Sequence, residues 1–166
     1  MLVLGIDPGT AITGVGIVEV VSGRCRLIDG GVIRTPAHTP MPDRLLTIYT
    51  ELTQIIDQYR PKVMAVEQLF HFRNATTVIP VSQARGVVLL TAAQQGLPLF
   101  EYTPLQVKMA VVGYGNADKR QVQEMVKRVL NLSAIPKPDD AADALAIAIC
   151  HINSSTYGDK GKGVIG

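Results

Sequence analysis

The stretch Leu2-Val3-Leu4-Gly5-Ile6-Asp7-Pro8-Gly9-Thr10 is a short apolar run that ends in one acid and then turns at once. Leu, Val and Ile leave no polar face for water, which is typical of a buried strand. Pro8 fixes its own φ and Gly9 tolerates positive φ, so Asp7 is held at a sharp corner. Burying a carboxylate there is costly unless something compensates it. Two interpretations are open: a turn-initiating aspartate, or a member of an acidic site.

A second segment, Val63-Met64-Ala65-Val66-Glu67, repeats the pattern of an apolar run that ends in one acid. If the two runs are adjacent parallel strands, Asp7 and Glu67 lie side by side at one edge of a sheet. Two carboxylates about 4 Å apart repel each other by ~4 kcal/mol at an effective dielectric constant of about 20. A fold that gathers several such acids therefore needs a cation.

The last predicted helix adds a further pair of acids. Asp140 and Asp143 are three residues apart and therefore share one helix face. Acids in a first turn also favour the helix dipole, an explanation that covers Asp139 or Asp140 well and Asp143 less well. An all-oxygen ligand set without His or Cys suits Mg²⁺ or Mn²⁺ rather than zinc. Two such ions about 3.5–4 Å apart support phosphodiester hydrolysis.

The composition indicates one compact domain. The chain has 166 residues, of which 47% are hydrophobic and 18% charged, as expected for a single α/β domain. No apolar run reaches the ~20 residues that span a membrane, and the N-terminus lacks a basic segment with a cleavage site, so we expect no signal peptide. Cys25 and Cys150 belong to no CxxC pair, so we predict reduced, buried thiols in a cytoplasmic protein.

The formal net charge of +2 says little by itself. If Asp7, Glu67 and the acids at 139–143 converge on one site, few acids remain to balance the 16 Lys and Arg elsewhere. A basic rim around an acidic pocket suits an anionic polymer that is bound through metal ions.

Hydrophobic periodicity and turn residues divide the chain into strands and helices. The first 34 residues indicate three antiparallel strands. Further strands are predicted at 63–67 and 97–102, and helices from Asp43 to Arg60, from Asn74 to about Gln95 (with Pro80 as a kink or the true start), after Thr103, over 118–130 and over 139–153. Residues 112–116 break structure and are expected to be mobile. We predict one domain over 1–153 and a disordered Gly/Lys-rich tail over 154–166.

Five motifs, in order and spacing, resemble the RuvC family of Holliday-junction resolvases. They extend from Leu2 to about Ile152 and are Gly5-Ile6-Asp7-Pro8-Gly9, Val66-Glu67-Gln68, Gln83-Ala84-Arg85-Gly86, Gln106-Val107-Lys108 and Asp140-Ala141-Ala142-Asp143-Ala144-Leu145-Ala146. The resemblance implies a ribonuclease-H-like α/β fold, with a central five-stranded mixed sheet of three antiparallel and then two parallel strands, flanked by helices. It also implies a homodimer that nicks two strands of a four-way DNA junction symmetrically in recombination and DNA repair, with branch-migration proteins of the RuvA and RuvB type as partners.

The resemblance also assigns the acids. By position, Asp7, Glu67, Asp140 and Asp143 match the family's catalytic, metal-binding residues. This implies two Mg²⁺ ions per subunit, with Mn²⁺ able to substitute, and Asp7 shared by both ions. Whether Asp140 or Asp143 contacts an ion directly stays open, and Asp139 is assigned to the helix N-terminus. The family's two-metal reaction leaves a 5′-phosphate and a 3′-hydroxyl.

Candidate DNA contacts lie outside the acidic set. Lys108 and Lys119 match basic positions that the family uses near the scissile phosphate, with a solvated surface charge as the alternative for any one Lys. Phe70 matches an aromatic that stacks on unpaired bases, with a core side chain as the alternative. Arg73 and Arg85 are further candidate DNA contacts.

Two neighbouring features allow more than one interpretation. His71 is interpreted as a DNA or solvent contact rather than as a general base. The helix from Asn74 to about Gln95 resembles the family's dimer-forming helix, although core packing would use the same apolar residues.

Three other functions stay open at this point. The Asp-Pro-Gly-Thr turn also resembles the phosphate loop of sugar-kinase and actin ATPases, but those enzymes need a second similar domain, which 166 residues cannot hold. Another ribonuclease-H-like nuclease would cut RNA–DNA hybrids. A non-catalytic module would bind junctions without cutting them.

Overall fold

The structure is a computed structural model that describes residues 1–69 and 75–156. The elements in these ranges are β1 (Leu2–Asp7), β2 (Ile12–Val21), β3 (Arg24–Arg34), α1 (Met41–Tyr59), β4 (Val63–Glu67), α2 (Ala75–Gln94), β5 (Leu99–Tyr102), α3 (Pro104–Val112), α4 (Lys119–Val129) and α5 (Asp139–Thr156).

The five strands form one mixed sheet in the order β3-β2-β1-β4-β5. β1 pairs with β2, and β2 with β3, in antiparallel fashion. β4 joins β1, and β5 joins β4, in parallel. This arrangement confirms the predicted ribonuclease-H-like sheet of three antiparallel and then two parallel strands.

Helices cover both faces of the sheet, so the sheet separates two apolar cores. Leu4 and Ile6 of β1 pack on the side of α1 and α2, whereas Val3 packs on the side of α3, α4 and α5. Successive side chains of a strand point to opposite faces, which explains why neighbours in β1 belong to different cores. Each face of a strand therefore has a helix layer of its own.

α5 lies unusually close to β1 and β2 because the strands present glycine to it. A Cβ added at Gly5 would lie 2.1 Å from Ala144 O, and one added at Gly14 would lie 2.1 Å from Asp140 O. Alanines on the facing side of the helix, such as Ala148, complete the close approach. This close contact packs the alanine-rich helix tightly on the sheet and fixes the height of the helix above the end of β1.

Several element boundaries differ from those predicted. α1 begins at Met41 rather than at Asp43, which lies in its first turn. Pro80 lies inside α2 and does not start it. β5 begins at Leu99 rather than at residue 97, because Leu97 N donates to Ala92 O at 2.9 Å and so closes the end of α2.

α5 continues to Thr156, beyond its predicted end at Asn153. Asn153 Nδ2 donates a 2.9 Å hydrogen bond to Ala110 O, which anchors this part of the helix to α3. Residues 154–156 of the predicted disordered tail are therefore helical, and the rest of that tail, from residue 157 onward, lies outside the described residues.

Across the described ranges, no helix combines the length and the apolar character needed to cross a membrane. Both cysteines are free thiols. Cys150 is buried, as predicted, whereas Cys25 is partly exposed because it lies near the hairpin end of β3.

Candidate active site

β1 and β4 end at the same edge of the sheet, and each ends in an acid. Their parallel register brings Asp7 and Glu67 level with each other. Val3 and Val63 belong to the core beneath α5. Since side chains alternate along a strand, Asp7 and Glu67 point to that same face. The predicted side-by-side placement of the two acids is therefore correct.

α5 supplies acids from above the sheet. Asp143 lies one turn into the helix and faces a cleft of about 210 Å³ together with Asp7 and Glu67. The rest of the lining comes from α3, α4 and α5, namely Pro104, Val107, Lys108, Lys119, Val122 and Ala146. Asp140 lies in the first turn of α5. It is outside this lining but raises the pKa of Asp7 through its charge.

The acids raise one another's pKa because burial removes water that would stabilise their charges. The pKa of Asp7 rises to about 7, chiefly through burial and then through the charges of Glu67, Asp143 and Asp140. Burial followed by the charge of Asp143 raises the pKa of Glu67. Burial likewise raises the pKa of Asp143. The cleft therefore concentrates negative charge that the protein itself only partly compensates.

Lys119 provides that partial compensation. Its Nζ donates a 2.9 Å hydrogen bond to Asp143 Oδ2 and lies 4.0 Å from Asp139 Oδ2. The hydrogen bond raises the pKa of Lys119, and the positive charge lowers the pKa of Asp7. Lys119 is the first residue of α4, where a reciprocal capping box between Asp118 and Gln121 fixes the helix start. The cap thus sets where this cation enters the cleft.

Lys108 of α3 also lines the cleft. Thr103 and Gln106 form a capping box that starts α3 directly after β5, which sets the direction of the helix from the edge where the acids lie. Val107 is buried against the core while Lys108 lines the cleft. Two lysines from different helices thus flank the acids, an arrangement suited to an anionic ligand.

The donor set suits a hard divalent cation. Carboxylate oxygens are the ligands that Mg²⁺ and Mn²⁺ favour, and the raised pKa values of Asp7, Glu67 and Asp143 reflect repulsion that a divalent cation would relieve. Among the described residues, no three acidic, histidine or cysteine side chains already form a metal cage. Asp7, Glu67 and Asp143 line the cleft together and are the carboxylates that would hold such an ion.

The corner after Asp7 is held by a network that the sequence analysis missed. Thr35 Oγ1 donates to Thr10 O at 2.5 Å, and Thr35 N donates to Ala11 O at 3.0 Å. Arg44 Nε donates to Thr35 Oγ1 at 2.8 Å, which links the corner to α1. No local motif predicts these contacts, because Thr10, Thr35 and Arg44 come from separate segments. They fix the loop that follows the first acid of the cleft.

A buried histidine ties β5 to α5. Tyr102 Oη and His151 Nδ1 are 2.8 Å apart and hydrogen bonded, and the ring of His151 also packs on Phe100. Burial lowers the pKa of His151, so its neutral form is favoured. His151 carried no recognisable pattern in the sequence. In the structure it links the strand that precedes Lys108 to the helix that carries Asp143.

The remaining predicted site residues lie elsewhere. Arg85 projects from α2 to the other face of the sheet, where it forms an ion pair with Glu101 of β5. Asp139 accepts a 2.8 Å hydrogen bond from Lys137 in the first turn of α5, which supports its assignment to the helix terminus. The predicted DNA contacts Phe70 and Arg73, together with His71, lie outside the described residues.

Comparison with known proteins identifies the family. The family model described as crossover junction endodeoxyribonuclease RuvC matches residues 3–151. The chain is 62% identical over 154 residues to the crossover junction endodeoxyribonuclease RuvC of Desulfitobacterium hafniense (strain DSM 10664 / DCB-2), covering 93% of each chain. It is 60% identical over 151 residues to that of Chloroflexus aurantiacus (strain ATCC 29366 / DSM 635 / J-10-fl), covering 91% of this chain and 92% of the relative.

Solved structures agree with this assignment. A Thermus thermophilus RuvC structure superposes with a TM-score of 0.90 at 36% identity and covers 99% of this chain and 100% of its own. The same protein in complex with Holliday junction substrate gives a TM-score of 0.90 at 34% identity, with the same coverage. The yeast mitochondrial resolvase Ydc2 shares the fold, with a TM-score of 0.68 at 16% identity over 93% of this chain and 78% of its own. The chain belongs to the crossover junction endodeoxyribonuclease RuvC family.

Proposed function

We infer that this protein is a structure-specific endonuclease that resolves four-way DNA junctions by nicking two strands symmetrically. The observation that carries this conclusion is the convergence of Asp7, Glu67 and Asp143 with Lys108 and Lys119 on one cleft. Those residues lie in a chain that is 62% identical to a crossover junction endodeoxyribonuclease over 93% of its length. The related Thermus thermophilus protein has been solved in complex with Holliday junction substrate, which supports the same class of substrate here.

The acids of the cleft are proposed to hold two Mg²⁺ ions, with Mn²⁺ as a substitute. When bound, such ions activate water and neutralise charge at a scissile phosphate. Asp7 is placed to be shared because it lies between Glu67 on β4 and Asp143 on α5. Asp143 faces the cleft and is the stronger candidate for a direct ligand, whereas Asp140 contributes charge from beside it.

The two lysines are proposed to position the DNA strand. Lys108 and Lys119 both line the cleft, so a phosphate bound there would meet two cations. Lys119 is hydrogen bonded to Asp143, so entry of the phosphate and of the ions requires this pair to separate. Phe70 and Arg73, on the residues that follow β4, are proposed from the sequence to contact unpaired bases and backbone near the crossover.

We propose a homodimer formed through α2. Ile79 and Leu90 of this helix are 59% and 54% exposed. Gln83 and Gly86 are also exposed and fall on the same helix face at the spacing 79, 83, 86 and 90. Two large apolar side chains exposed on one helix face, with Gly86 between them to let another backbone approach, suit a surface that a partner covers. Two copies would place two clefts on one junction, and branch-migration proteins of the RuvA and RuvB type are the proposed further partners.

The cleavage test compares substrates that differ only in architecture. Single-turnover cutting is measured on a synthetic four-way junction, a linear duplex of the same sequence and an RNA–DNA hybrid, each with Mg²⁺, Mn²⁺ or EDTA. We expect cutting of the junction alone, dependent on the metal, with 5′-phosphate ends. Equal cutting of the linear duplex would exclude junction specificity. Preference for the hybrid would favour the alternative ribonuclease-H-like activity, and binding without cutting would favour a non-catalytic module.

A further inference from the structure

A small apolar surface lies on α3 beside the active-site cleft. Leu105 and Met109 are 60% and 50% exposed, and Tyr114, just beyond the helix, is 43% exposed. Leu105 and Met109 are one helical turn apart, so their side chains lie next to each other. We call these three residues the apolar shelf. Such exposure is costly without a function, since contiguous exposed apolar surface generally marks a binding site.

The backbone that follows α3 supports the side chains of the apolar shelf. A Cβ added at Gly115 would lie 2.3 Å from Leu105 Cδ1 and 3.8 Å from Met109 Sδ, so the backbone at Gly115 packs directly on both side chains. Gly113 ends α3 in the left-handed conformation at φ 99°, which turns the chain back toward the helix. The shelf is therefore supported by backbone, and a supported surface loses little entropy on binding a ligand.

The shelf is continuous with the cleft. Lys108 lies between Leu105 and Met109 in the sequence of α3, and the cleft lining includes both Lys108 and Pro104. Its cation and the shelf thus belong to adjacent faces of one short helix. A ligand that fits both needs an anionic part at Lys108 and a flat apolar part about one nucleotide away. A nucleotide has this chemistry.

We propose that the apolar shelf receives the base of a nucleotide adjacent to the scissile phosphate, after that base has left the helical stack at the junction crossover. This proposal rests on the proposed function. Three side chains are too few for a protein partner, because a stable protein interface buries about 800 Å² on each side. Apolar contact of the base with Leu105 and Met109 would hold the strand in register while Lys108 contacts the phosphate.

The test is a double-mutant cycle in which the base is removed from the DNA, the apolar shelf is removed from the protein, or both are removed. Cleavage is measured under single-turnover conditions, with protein below the dissociation constant, on intact junctions and on junctions with an abasic site on either side of the cleaved phosphate. For the unmodified protein we expect base removal at one of these two positions to slow cleavage about tenfold. The double variant Leu105→Ser/Met109→Ser should cleave the intact junction about tenfold more slowly and lose no further rate on the abasic junction.

Matched variants separate this effect from unfolding and from general loss of apolar surface. Leu46 on α1 is 61% exposed and lies on the opposite side of the sheet, so Leu46→Ser should behave as the unmodified protein does. Leu105→Met should retain the sensitivity to base removal, because it keeps an apolar side chain there. Thermal unfolding of each variant checks that the fold is intact.

Two outcomes would contradict the proposal that the apolar shelf binds a base. One is an equal abasic penalty in the double variant and the unmodified protein, or no penalty in either. The other is a double variant that cleaves protein-free junctions at the full rate, which would point to a protein partner instead. Failure of the unmodified protein to cut junctions at all would instead refute the proposed function, so the two failures are distinguishable.

Discussion

Lys119 Nζ donates a 2.9 Å hydrogen bond to Asp143 Oδ2 across the mouth of the cleft, linking the first turn of α4 to the second turn of α5. The pair puts one cation among acids whose pKa values are all raised by burial. It therefore holds the cleft together before ions and DNA arrive. The same lysine is placed to contact a phosphate once Asp143 turns toward a metal ion.

Replacing Lys119 by Met should slow junction cleavage by about 10- to 100-fold and shift its pH dependence upward. The lysine lowers the pKa values of Asp7, Glu67 and Asp143, so its loss makes these acids harder to deprotonate for metal binding. The measurement is the single-turnover rate from pH 6 to about pH 9 at saturating Mg²⁺. Arg128→Met removes a charge from the exposed end of the same helix and serves as the control. A pH profile that does not shift would show that Lys119 does not control the protonation of these acids during cleavage.

Asp7→Asn should abolish cleavage and leave junction binding intact. The neutral amide keeps the shape of the corner but removes the carboxylate proposed to be shared between the ions, so we expect a rate loss of at least about 1,000-fold. Gel-shift affinity and cleavage on the same junction measure the two properties. Asp139→Asn is the matched control, because Asp139 is occupied by Lys137 in the first turn of α5. Loss of binding with Asp7→Asn would mean that this acid is structural.

In EDTA, the difference in stability between Asp7→Asn and the unmodified protein should grow with pH. The folded protein raises the pKa of Asp7 from the ordinary value of 3.8 to about 7. Between these values the folded state holds a proton that the unfolded chain has lost, so the free energy of unfolding falls as pH rises and then levels off above about 7. The Asp7→Asn variant has no carboxyl group at this position, so its free energy of unfolding does not fall in this way. The fall in the unmodified protein amounts to at most roughly 4 kcal/mol. Urea unfolding midpoints of both proteins at pH 4.5 and at about pH 8 measure this effect. A difference between the two proteins that stays constant with pH would contradict the prediction.

Gly14→Ala should destabilise the protein by about 3 kcal/mol and inactivate it. The added methyl would lie 2.1 Å from Asp140 O, so α5 would have to move away from the sheet with Asp140 and Asp143. Gly31→Ala in β3 is the matched control, because no atom lies within 4 Å of its added Cβ. Urea unfolding and cleavage are measured for both. Equal stability of the two variants would show that the close contact is not required.

Replacing Ile79 and Leu90 together by Glu should convert the proposed dimer to monomer. Charged side chains would have to be buried at the α2 interface without partners, which is strongly unfavourable. Sedimentation velocity gives the oligomeric state, and cleavage should change from paired to single nicks. The control is Val21→Glu, since Val21 is 55% exposed at the hairpin end of β2, away from α2. A dimer that persists in the Ile79/Leu90 variant would exclude this interface.

Much of the fold could be predicted from local pattern. The runs ending at Asp7 and Glu67 specify their strands, and Thr103 specifies the start of α3, through short-range chemistry. Boundaries were less certain where a distant contact decides them. α5, for example, continues past its predicted end at Asn153, where the Asn153 side chain donates to Ala110 O of α3.

The candidate site, like the fold, could be predicted only in part from the sequence. The residue types and spacing of Asp7, Glu67, Asp140 and Asp143 were sufficient to predict an acidic, metal-dependent site, because several carboxylates gathered in one place repel one another unless a cation is bound. The resemblance to the RuvC family added Lys108 and Lys119 to the candidates. Arg85 was predicted to contact DNA. In the structure its side chain forms an ion pair with Glu101, and the DNA contact stays a prediction.

Only the tertiary structure decided how these groups face one another. The sheet register makes Asp7 and Glu67 level, and the glycines of β1 and β2 set the height of α5, which turns Asp143 into the cleft and leaves Asp140 at its side. Arg44 joins the corner after Asp7 through Thr35, although nothing near it in sequence predicts this. The physical reason is that side-chain chemistry is local to a residue, whereas distance, burial and the resulting pKa depend on segments that meet only after folding.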